Sequence, residues 1–533
     1  MRIHTLLLRI GLVSLLLVVG SSCGNDFLDP KITDVQTTDS FYQTEAQVEQ
    51  ALTGLYHGLR PLTLQRWFLS EVRSDNSWVQ IVTNAQRDYS DIGHFRSTIS
   101  NISTLSNAWN DLYLLIANAN IFLEKIEGVS FYSEALKTRF IAEARFLRGL
   151  AYFELVRYFG RVPLVLTTIT QEEAIRVPQS SAQEVYEQAI VPDLKHAGTN
   201  LPLDATQAGR ATQMAAKALL GQVYLTMSGY PLNLSHTGDA SQLLEEVIDY
   251  AFTNGKYWAS TADEWRHIWT NEQDNKYHIF EVQYIYGGLG LGNGLMFEYG
   301  PGLFSAYTSR GSFGNSIWAE DTLTEAYLEG SEEDDIHDIR LVGTVDTTRF
   351  VNTDTKPPTP YTGDPFFTKF WEHKVKRAEL GLTDIDALVK DNYDWPINFP
   401  LIRLEDVMLM YAEIAGPTAK GLEMVNKIRE RAGVPTVSSA SASEFQDIVE
   451  RERRLELASE GIRWHDLVRR NVWQERIKDM YYRYALNETT GEYDQETKSY
   501  GDRVAANPGW YLYPIPESQI LVKDGLYTQN TGY

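Results

Sequence analysis

The chain of 533 residues has a single cysteine, Cys23, which excludes an intrachain disulfide. A secreted protein of this length does not need a disulfide, because several hundred residues can bury a large hydrophobic core. After the N-terminal segment there is no run of about 20 apolar residues, the length that a membrane-spanning helix requires. The later part of the chain is therefore not expected to thread through a membrane.

An excess of basic charge is also missing. The formal net charge is −23 at pH 7, whereas nucleic acids and anionic lipids select basic surfaces. The composition instead favours an exported protein that meets neutral ligands. Aromatic residues are plentiful, with 30 tyrosines and 12 tryptophans, so many of them must lie at or near a surface.

Motifs of known enzyme chemistry are absent as well. We find no G-x-S-x-G, no Walker loop and no dinucleotide fingerprint. His267 and His465 have no second histidine or cysteine at ligand spacing, so a zinc site is not expected. The acidic residues 332–335 are consecutive and, with Asp338, are typical of a solvated loop rather than a glycosidase pair. We predict no cofactor, although a structural calcium ion is an alternative at this loop.

The N-terminus has the pattern of a secretory signal peptide over residues 1–22. Arg2 and Arg9 form a basic start, an apolar core follows, and small residues precede Cys23. A cysteine in this place resembles a lipoprotein cleavage site, although Gly20 stands where that pattern usually has leucine. We predict cleavage before Cys23 and attachment of about two or three acyl chains, which suffice for a stable anchor. An ordinary signal peptide with an incidental cysteine is the alternative.

Helical periodicity dominates much of the remaining chain. Within residues 141–165, apolar side chains recur at helical spacing from Ala142 to Phe153. Gly160 is then placed to form a left-handed cap, and Pro163 prevents continuation of the helix. Similar segments of about 15–20 residues follow, joined by short turns. Such pairs are typical of tetratricopeptide-like solenoids, although no strict repeat is visible.

These patterns divide the chain into five parts. We predict a signal peptide at 1–22, a lipidated tether at 23–38, an N-terminal helical half at 39–254, a loop-rich insertion that carries the ligand face at 255–400, and a C-terminal helical part at 401–533. The predicted fold class is mainly α, a tetratricopeptide-like helical-hairpin scaffold with a large irregular insertion.

Several phrases carry a resemblance to a known family. The C-terminal part contains, in order, IRLEDVMLMYAEI, VNKIRERAG, ERRLELASEGIRWHDLVR, YPIP and LYTQNTGY. With the DFLD leader, EQALTGLYHGL and the helix of residues 141–165, they resemble the SusD/RagB family of nutrient-binding outer-membrane lipoproteins. The resemblance covers nearly all of residues 23–533 and implies several tetratricopeptide-like units. It also implies a scaffold role for the charged residues at 452–456 and 463–466, which we interpret as salt bridges and buried hydrogen bonds between helices.

Candidate ligand residues come from the loops. A sugar ring stacks its C–H face on tryptophan or tyrosine, while polar side chains bind the hydroxyl fringe. The polar segment 70–103 is predicted to lie on the surface and, with the insertion, offers both kinds of partner. The candidates are Asp75, Asn76, Trp78, Phe95, Tyr299 and Trp318. The alternative is that each aromatic ring packs its loop onto the helices.

The resemblance implies a function without bond breaking. We expect a lipid-anchored protein of the outer membrane, facing the cell exterior, that binds an oligosaccharide or polysaccharide and delivers it to a SusC-like TonB-dependent transporter. Two alternatives remain open. One is peptide capture by a RagB-like protein, which the acidic surface would suit for basic peptides. The other is a surface hydrolase, which would need a convergent carboxylate pair or triad.

Overall fold

The structure is a computed structural model. It describes residues 41–81, 88–96, 99–270, 276–298, 317–329, 338–346, 351–352, 359–360, 364–371, 374–478, 480–487, 492–499 and 501–533. The predicted lipidation site Cys23 and the candidate Tyr299 lie outside these residues. The described part of the chain is mainly helical, which confirms the predicted mainly α class.

The N-terminal elements surround one short strand. They are α1 Glu45–His57, α2 Pro61–Arg66, a π-helical turn at Trp67–Glu71, β1 Ser77–Ile81 and α3 Asp88–Gly93. Thr44 caps α1 in a reciprocal box with Gln47, each side chain accepting a backbone N–H of the other. Pro61 is the first residue of α2, a position where proline is well tolerated.

Long helices follow in close succession. They are α4 Ser103–Lys125, α5 Glu134–Phe159, α6 Gln171–Ala174, α7 Ala182–Val185, α8 Val191–Asn200, α9 Gln213–Ser228 and α10 Thr237–Asn254, with short paired strands β2 Val162–Pro163 and β3 Gln179–Ser180 between α5 and α7. A π-helical turn at Tyr186–Ile190 joins α7 to α8. Helix α5 runs unbroken and ends at Gly160, which takes the expected positive φ of 69°.

The middle of the chain is irregular, as predicted. Its elements are α11 Ala262–Ile268, β4 His278–Val282, α12 Leu295–Glu298, β5 Ile317–Ala319, α13 Asp321–Leu328, α14 Ile339–Thr344, β6 Val345–Asp346, β7 Val351–Asn352, β8 Thr359–Pro360, β9 Phe366–Phe367, α15 Lys374–Glu379 and β10 Phe399–Arg403. Strands β4 and β10 pair antiparallel, and both are buried along their length.

Helices return after β10. They are α16 Leu404–Ala415, α17 Ala419–Ala432, α18 Ala442–Leu457, α19 Arg463–Arg469 and α20 Trp473–Ile477, followed by β11 Tyr481–Asn487, β12 Glu492–Ser499, α21 Gly501–Ala506 and α22 Glu517–Ile520. The successive helices α8, α9, α10, α16 and α17 each pack on the next. One hydrophobic core extends from Val48 to Ile515 and draws on all three large predicted parts of the chain.

A four-stranded sheet places distant segments side by side. Its strand order is β12-β11-β1-β5, with β1 parallel to β11 and antiparallel to β5. This sheet was not predicted, since its strands come from residues 77–81, 317–319 and 481–499. Because β1 is an inner strand, the residues around it are enclosed on both sides.

Candidate functional site

Two tryptophans meet where β1 pairs with β5. Trp78 and Trp318 are directly opposite each other in the strand register. Their rings stack with centroids 6.2 Å apart and planes inclined by 28°, as expected for side chains on one face of a sheet. Trp78 is 1% exposed and Trp318 is partly exposed. The structure thus brings together two predicted site residues and leaves Trp318 as the accessible member of the pair.

Asp75, which precedes β1, is held by arginine. Its two carboxylate oxygens accept hydrogen bonds from Nε and Nη2 of Arg463 at 2.7 and 2.8 Å. Burial alone would raise the pKa of Asp75, but the charges of Arg463 and Arg454 outweigh it and hold that pKa well below its usual range. Asp75 is therefore ionised and fixed in place.

Asn76 is fixed in the same way. Its Nδ2 donates to Oε1 of Glu71 at 2.8 Å, and its Oδ1 accepts from Nε of Arg454 at 2.9 Å. Glu71 also accepts the backbone N–H groups of Ser459 and Gly461, although burial raises its pKa. The prediction that the segment from residue 70 lies on the surface is wrong at residues 70–79, because these partners satisfy its polar groups inside the fold.

A wide polar cleft of about 1020 Å³ opens beside these residues. Asp75, Glu320, Arg454 and Arg463 line it at the ends of β1 and β5. The backbone N–H of Glu320 donates to the carbonyl oxygen of Asn76 at 2.9 Å, which ties the two strand ends together. The cleft carries charges of both signs in fixed positions, so it can donate to and accept from a ligand rich in hydroxyl groups.

Phe95 lies apart from the tryptophan pair. The Arg73 guanidinium sits 4.4 Å above its ring, and the Trp464 ring is 5.7 Å away. Phe95 is 1% exposed and belongs to a separate small hydrophobic cluster. Its ring is therefore enclosed by packing in this structure, which matches the packing alternative raised for each loop aromatic.

Sequence reasoning did not single out the arginines of the site. Arg454 donates to the carbonyl oxygen of Asp75 at 2.6 Å and to Oγ1 of Thr322 at 2.9 Å, so one side chain joins the approaches to β1 and β5. The phrases around Arg454 and Arg463 were interpreted as scaffold. That interpretation is confirmed for their buried ion pairs, but the residues also line the cleft.

Metal ligation has little support in the described ranges. Within them, no group of three or more histidine, cysteine, aspartate or glutamate side chains is placed to hold a metal ion. Asp338 is buried and pairs with Arg340, with Oδ2 and Nη2 2.7 Å apart. Residues 332–335 lie outside the described residues, so the calcium alternative at that loop stays a prediction.

Comparisons with known proteins define the class. A model described as SusD family matches residues 377–533, and one described as starch-binding associating with outer membrane matches residues 26–225. A SusD-like protein of Bacteroides ovatus is 28% identical over 516 residues, which are 91% of this chain and 87% of that protein. Together with the helical scaffold, these matches define a carbohydrate-binding type of protein rather than an enzyme.

Solved structures share the fold. A SusD homologue from Bacteroides thetaiotaomicron has a TM-score of 0.73 at 22% identity and covers 93% of this chain and 98% of its own. A laminarin-binding SusD-like protein has a TM-score of 0.70 at 24% identity, with 92% and 100% covered. The chain belongs to the SusD/RagB family, which confirms the resemblance found in the sequence.

Family membership also bears on location and catalysis. The family is associated with the outer membrane and with starch binding, and its members are not catalytic. The prediction that this protein is not an enzyme is thereby confirmed. Across the ranges that the structure describes, no helix combines the length and apolar character needed to cross a membrane.

Proposed function

We propose that this protein captures an oligosaccharide or polysaccharide at the outer face of the outer membrane and delivers it to a SusC-like TonB-dependent transporter. The observation that carries the proposal is the stacked pair Trp78–Trp318 on β1 and β5, two strands beside which Asp75 and Glu320 line the polar cleft. Support also comes from the family description and from a solved relative named as laminarin-binding.

The chemistry of the site suits a sugar chain. Trp318 offers a partly exposed indole face on which the C–H face of a pyranose ring would stack, and Trp78 holds that indole from behind. Carboxylates and guanidinium groups of the cleft would bind the hydroxyl fringe. Each hydrogen bond replaces one to water, so the gain per contact is modest. Affinity would therefore grow with the number of sugar units bound.

Attachment to the membrane follows from the lipid on Cys23 in this proposal. The tether of residues 23–38 would leave the helical scaffold free to dock on the transporter and the cleft free to meet ligand. Replacement of Cys23 by alanine should release the protein into the soluble fraction of cells. Retention in the membrane fraction would contradict the anchor without affecting the binding proposal.

The first test is isothermal titration of the purified protein with neutral plant, host and microbial oligosaccharides, laminarin oligomers among them. The Trp318→Ala variant should bind the best ligand about tenfold more weakly, since one stacking contact is lost. The matched control is Trp258→Ala, because Trp258 is also half-buried but packs on Phe252 far along the chain. Equal affinities for the Trp318→Ala variant and the wild type would remove this tryptophan from the site.

Peptide capture is the second candidate. The net charge of −23 favours basic peptides, so the same titrations include pools of lysine-rich peptides. Binding of peptides without binding of any glycan would replace the carbohydrate proposal. Sustained product release from a glycan, lost on mutation of one carboxylate, would instead indicate a hydrolase.

A further inference from the structure

A second cavity lies far along the chain from the tryptophan pair. It measures about 420 Å³ and opens between the C-terminal ends of α5 and α9, the helix α19 and the C-terminal segment. We call it the tyrosine cavity. Six of its lining residues carry the argument: Arg157, Arg161, Tyr186, Tyr230, His465 and Tyr511.

Close backbone contacts fix the walls of the tyrosine cavity. The N–H of Tyr230 donates to the carbonyl oxygen of Arg469 at 2.8 Å. Gly229 lies so close to Arg469 that a Cβ there would stand 2.4 Å from the same oxygen. The N–H of Tyr513 donates to the carbonyl oxygen of Tyr158 at 2.8 Å. The cavity is therefore a preformed feature of the fold.

The charge of the tyrosine cavity is opposite to that of the protein. The chain has 71 acidic residues, yet no acidic residue of the described ranges lines this cavity, whereas Arg157, Arg161 and Arg469 do. Arg469 is balanced by Glu413 and by Asp466.

The other two arginines leave positive charge in excess. Arg157 shares Glu154 with Arg66, so two guanidinium groups face one carboxylate. Among the residues that the structure describes, the Arg161 side chain donates only to the backbone oxygens of Thr528 and Gln529, at 3.5 and 3.4 Å. The cavity is thus a local positive site in an acidic molecule, which favours an anionic ligand.

Several polar groups of the cavity have no partner among the described residues. None of the hydroxyls of Tyr186, Tyr230 and Tyr511 makes a hydrogen bond there. His465 is 8% exposed and its Nε2 is also without a partner, as is Nε of Arg157. Buried polar groups are normally hydrogen-bonded, so the nitrogens of His465 and Arg157 point to a ligand that would complete them, and the tyrosyl hydroxyls are available to the same ligand.

Burial keeps these groups in their neutral forms. It raises the pKa of Tyr186 and of Tyr511, so both hydroxyls stay protonated. Burial, and then the charges of Arg157 and Arg66, lower the pKa of His465 well below its ordinary value. The positive charge of the cavity therefore comes from arginine alone and does not vary near neutral pH.

We infer that the tyrosine cavity is a second ligand site and binds a hexuronate unit, a sugar ring that carries a carboxylate. The carboxylate would lie between Arg157 and Arg161. The ring face would pack on tyrosine, and the ring hydroxyls would pair with the free tyrosyl hydroxyls. The volume of about 420 Å³ is within the range of ordinary small-molecule pockets. The inference is independent of sugar binding at the Trp78–Trp318 pair.

The test titrates the purified protein with trigalacturonate and with its methyl ester, which has nearly the same shape but no charge. We expect trigalacturonate to bind at least about tenfold more tightly, since a charge-assisted contact is lost in the ester. Arg161→Gln and Tyr186→Phe should each weaken trigalacturonate binding by about three- to tenfold. Neither change removes a buried ion pair, and unfolding temperatures will verify that both variants fold.

Control variants separate the two sites. Arg176→Gln removes an exposed arginine whose ion partner is Glu172, four residues earlier in the chain, and it should leave binding unchanged. Trp318→Ala should also leave trigalacturonate binding unchanged. The inference is overturned if the ester binds as well as the acid, if Arg161→Gln and Tyr186→Phe both bind normally, or if Trp318→Ala abolishes binding. Absence of trigalacturonate binding would overturn it too, while binding of neutral glycans would keep the proposed function.

Discussion

Two regions of this protein are held together by different chemistry. In the helical region, residues 103–254, the helices pack through small and apolar side chains, and Gly221 on α9 lies against Leu244 on α10. Its buried ions form small separate groups around one carboxylate each, such as Asp193 with Arg148 and Arg145. Such a core depends on volume and patterning, and it tolerates hydrophobic exchange.

The charged region, residues 338–476, is organised around buried ions. Its fully buried members include Asp338, Arg340, Lys369, Arg403, Glu405, Arg431, Glu452, Arg453, Glu456, Glu460 and Asp466. Glu456 alone faces Arg431, Arg403 and Arg340 at 2.7, 3.1 and 3.5 Å. A set of this kind adds little net stability over an apolar core, but the loss of one member leaves buried charge without a partner. The comparison teaches that the part of the fold next to the cleft is fixed by specific pairing, whereas the distant helices rely on packing.

The largest effect should come from breaking the charged region. Glu456→Ala leaves three buried guanidinium groups short of one carboxylate, and we expect a loss of about 3–5 kcal/mol in the free energy of unfolding. Urea denaturation at pH 7 measures it. The control is Glu423→Ala, which removes an exposed i,i+4 pair with Lys427 and should cost less than about 1 kcal/mol. Similar losses for both variants would refute the distinction between buried and exposed pairing.

Breaking the helical region should cost somewhat less. Leu219 on α9 is fully buried, and Leu219→Ala should destabilise by about 3 kcal/mol through lost burial and a residual cavity. Leu219→Met should cost less than about 1.5 kcal/mol, since it nearly conserves volume. If the methionine variant were as unstable as the alanine variant, this region would be as exacting as the charged one.

These regional differences explain which parts of the fold were predictable. Helix α5 and its end at Gly160 follow from local signals, namely apolar spacing and a residue that adopts positive φ. The four-stranded sheet has no local signal, because β1 pairs with β5 and β11 from remote parts of the sequence. The tetratricopeptide-like arrangement and the domain boundaries stay predictions.

The sequence predicted which types of residue form the candidate site, but it did not predict how they are arranged. Aromatic and polar residues near Trp78 and Trp318 suggested a sugar site, and the structure does stack these two rings. The burial of Asp75 could not be anticipated, because its partner Arg463 comes almost four hundred residues later. A run of polar residues therefore predicts a surface loop when the sequence does not show which distant arginines will pair with it inside the fold.

His94 and Glu456 should lose their contributions to stability in different ranges of acidic pH. Burial lowers the pKa of His94 to about 4, so the stability that this neutral histidine contributes is complete above about pH 6.5 and is lost as pH falls toward 4. Burial alone would raise the pKa of Glu456, but Arg431, Arg403 and Arg340 hold it well below its usual range. Its contribution is present above about pH 4 and is lost only at lower pH.

Two variants test these windows by urea denaturation from pH 7 to 3. His94→Gln should reduce the slope of unfolding free energy against pH between 6.5 and 4, by at most about 1.4 kcal/mol per pH unit for one proton. Glu456→Gln should leave that window unchanged and flatten the slope below pH 4. If Glu456→Gln instead altered the slope between pH 6.5 and 4, the pKa of Glu456 in the folded protein would not be lowered by its arginines. That result would contradict the prediction.

The smallest effects should be equal in the two regions, because helix caps act locally. Thr212 caps α9 by accepting the N–H of Ala215 at 3.2 Å, and Ser441 caps α18 in a reciprocal box with Glu444. Thr212→Ala and Ser441→Ala should each cost about 1 kcal/mol of unfolding free energy. Glycine at either position should restore most of the loss, since it is well tolerated at an N-cap.

The exposed Ser439, in the loop before α18, provides the control, and Ser439→Ala should have no measurable effect. Equal cap losses would leave core chemistry as the difference between the regions. A loss at Thr212 several times that at Ser441 would mean that this buried threonine supports the packing of the helical region as well as the end of α9. The helical region would then depend on buried hydrogen bonds as well as on apolar packing, and its difference from the charged region would be smaller.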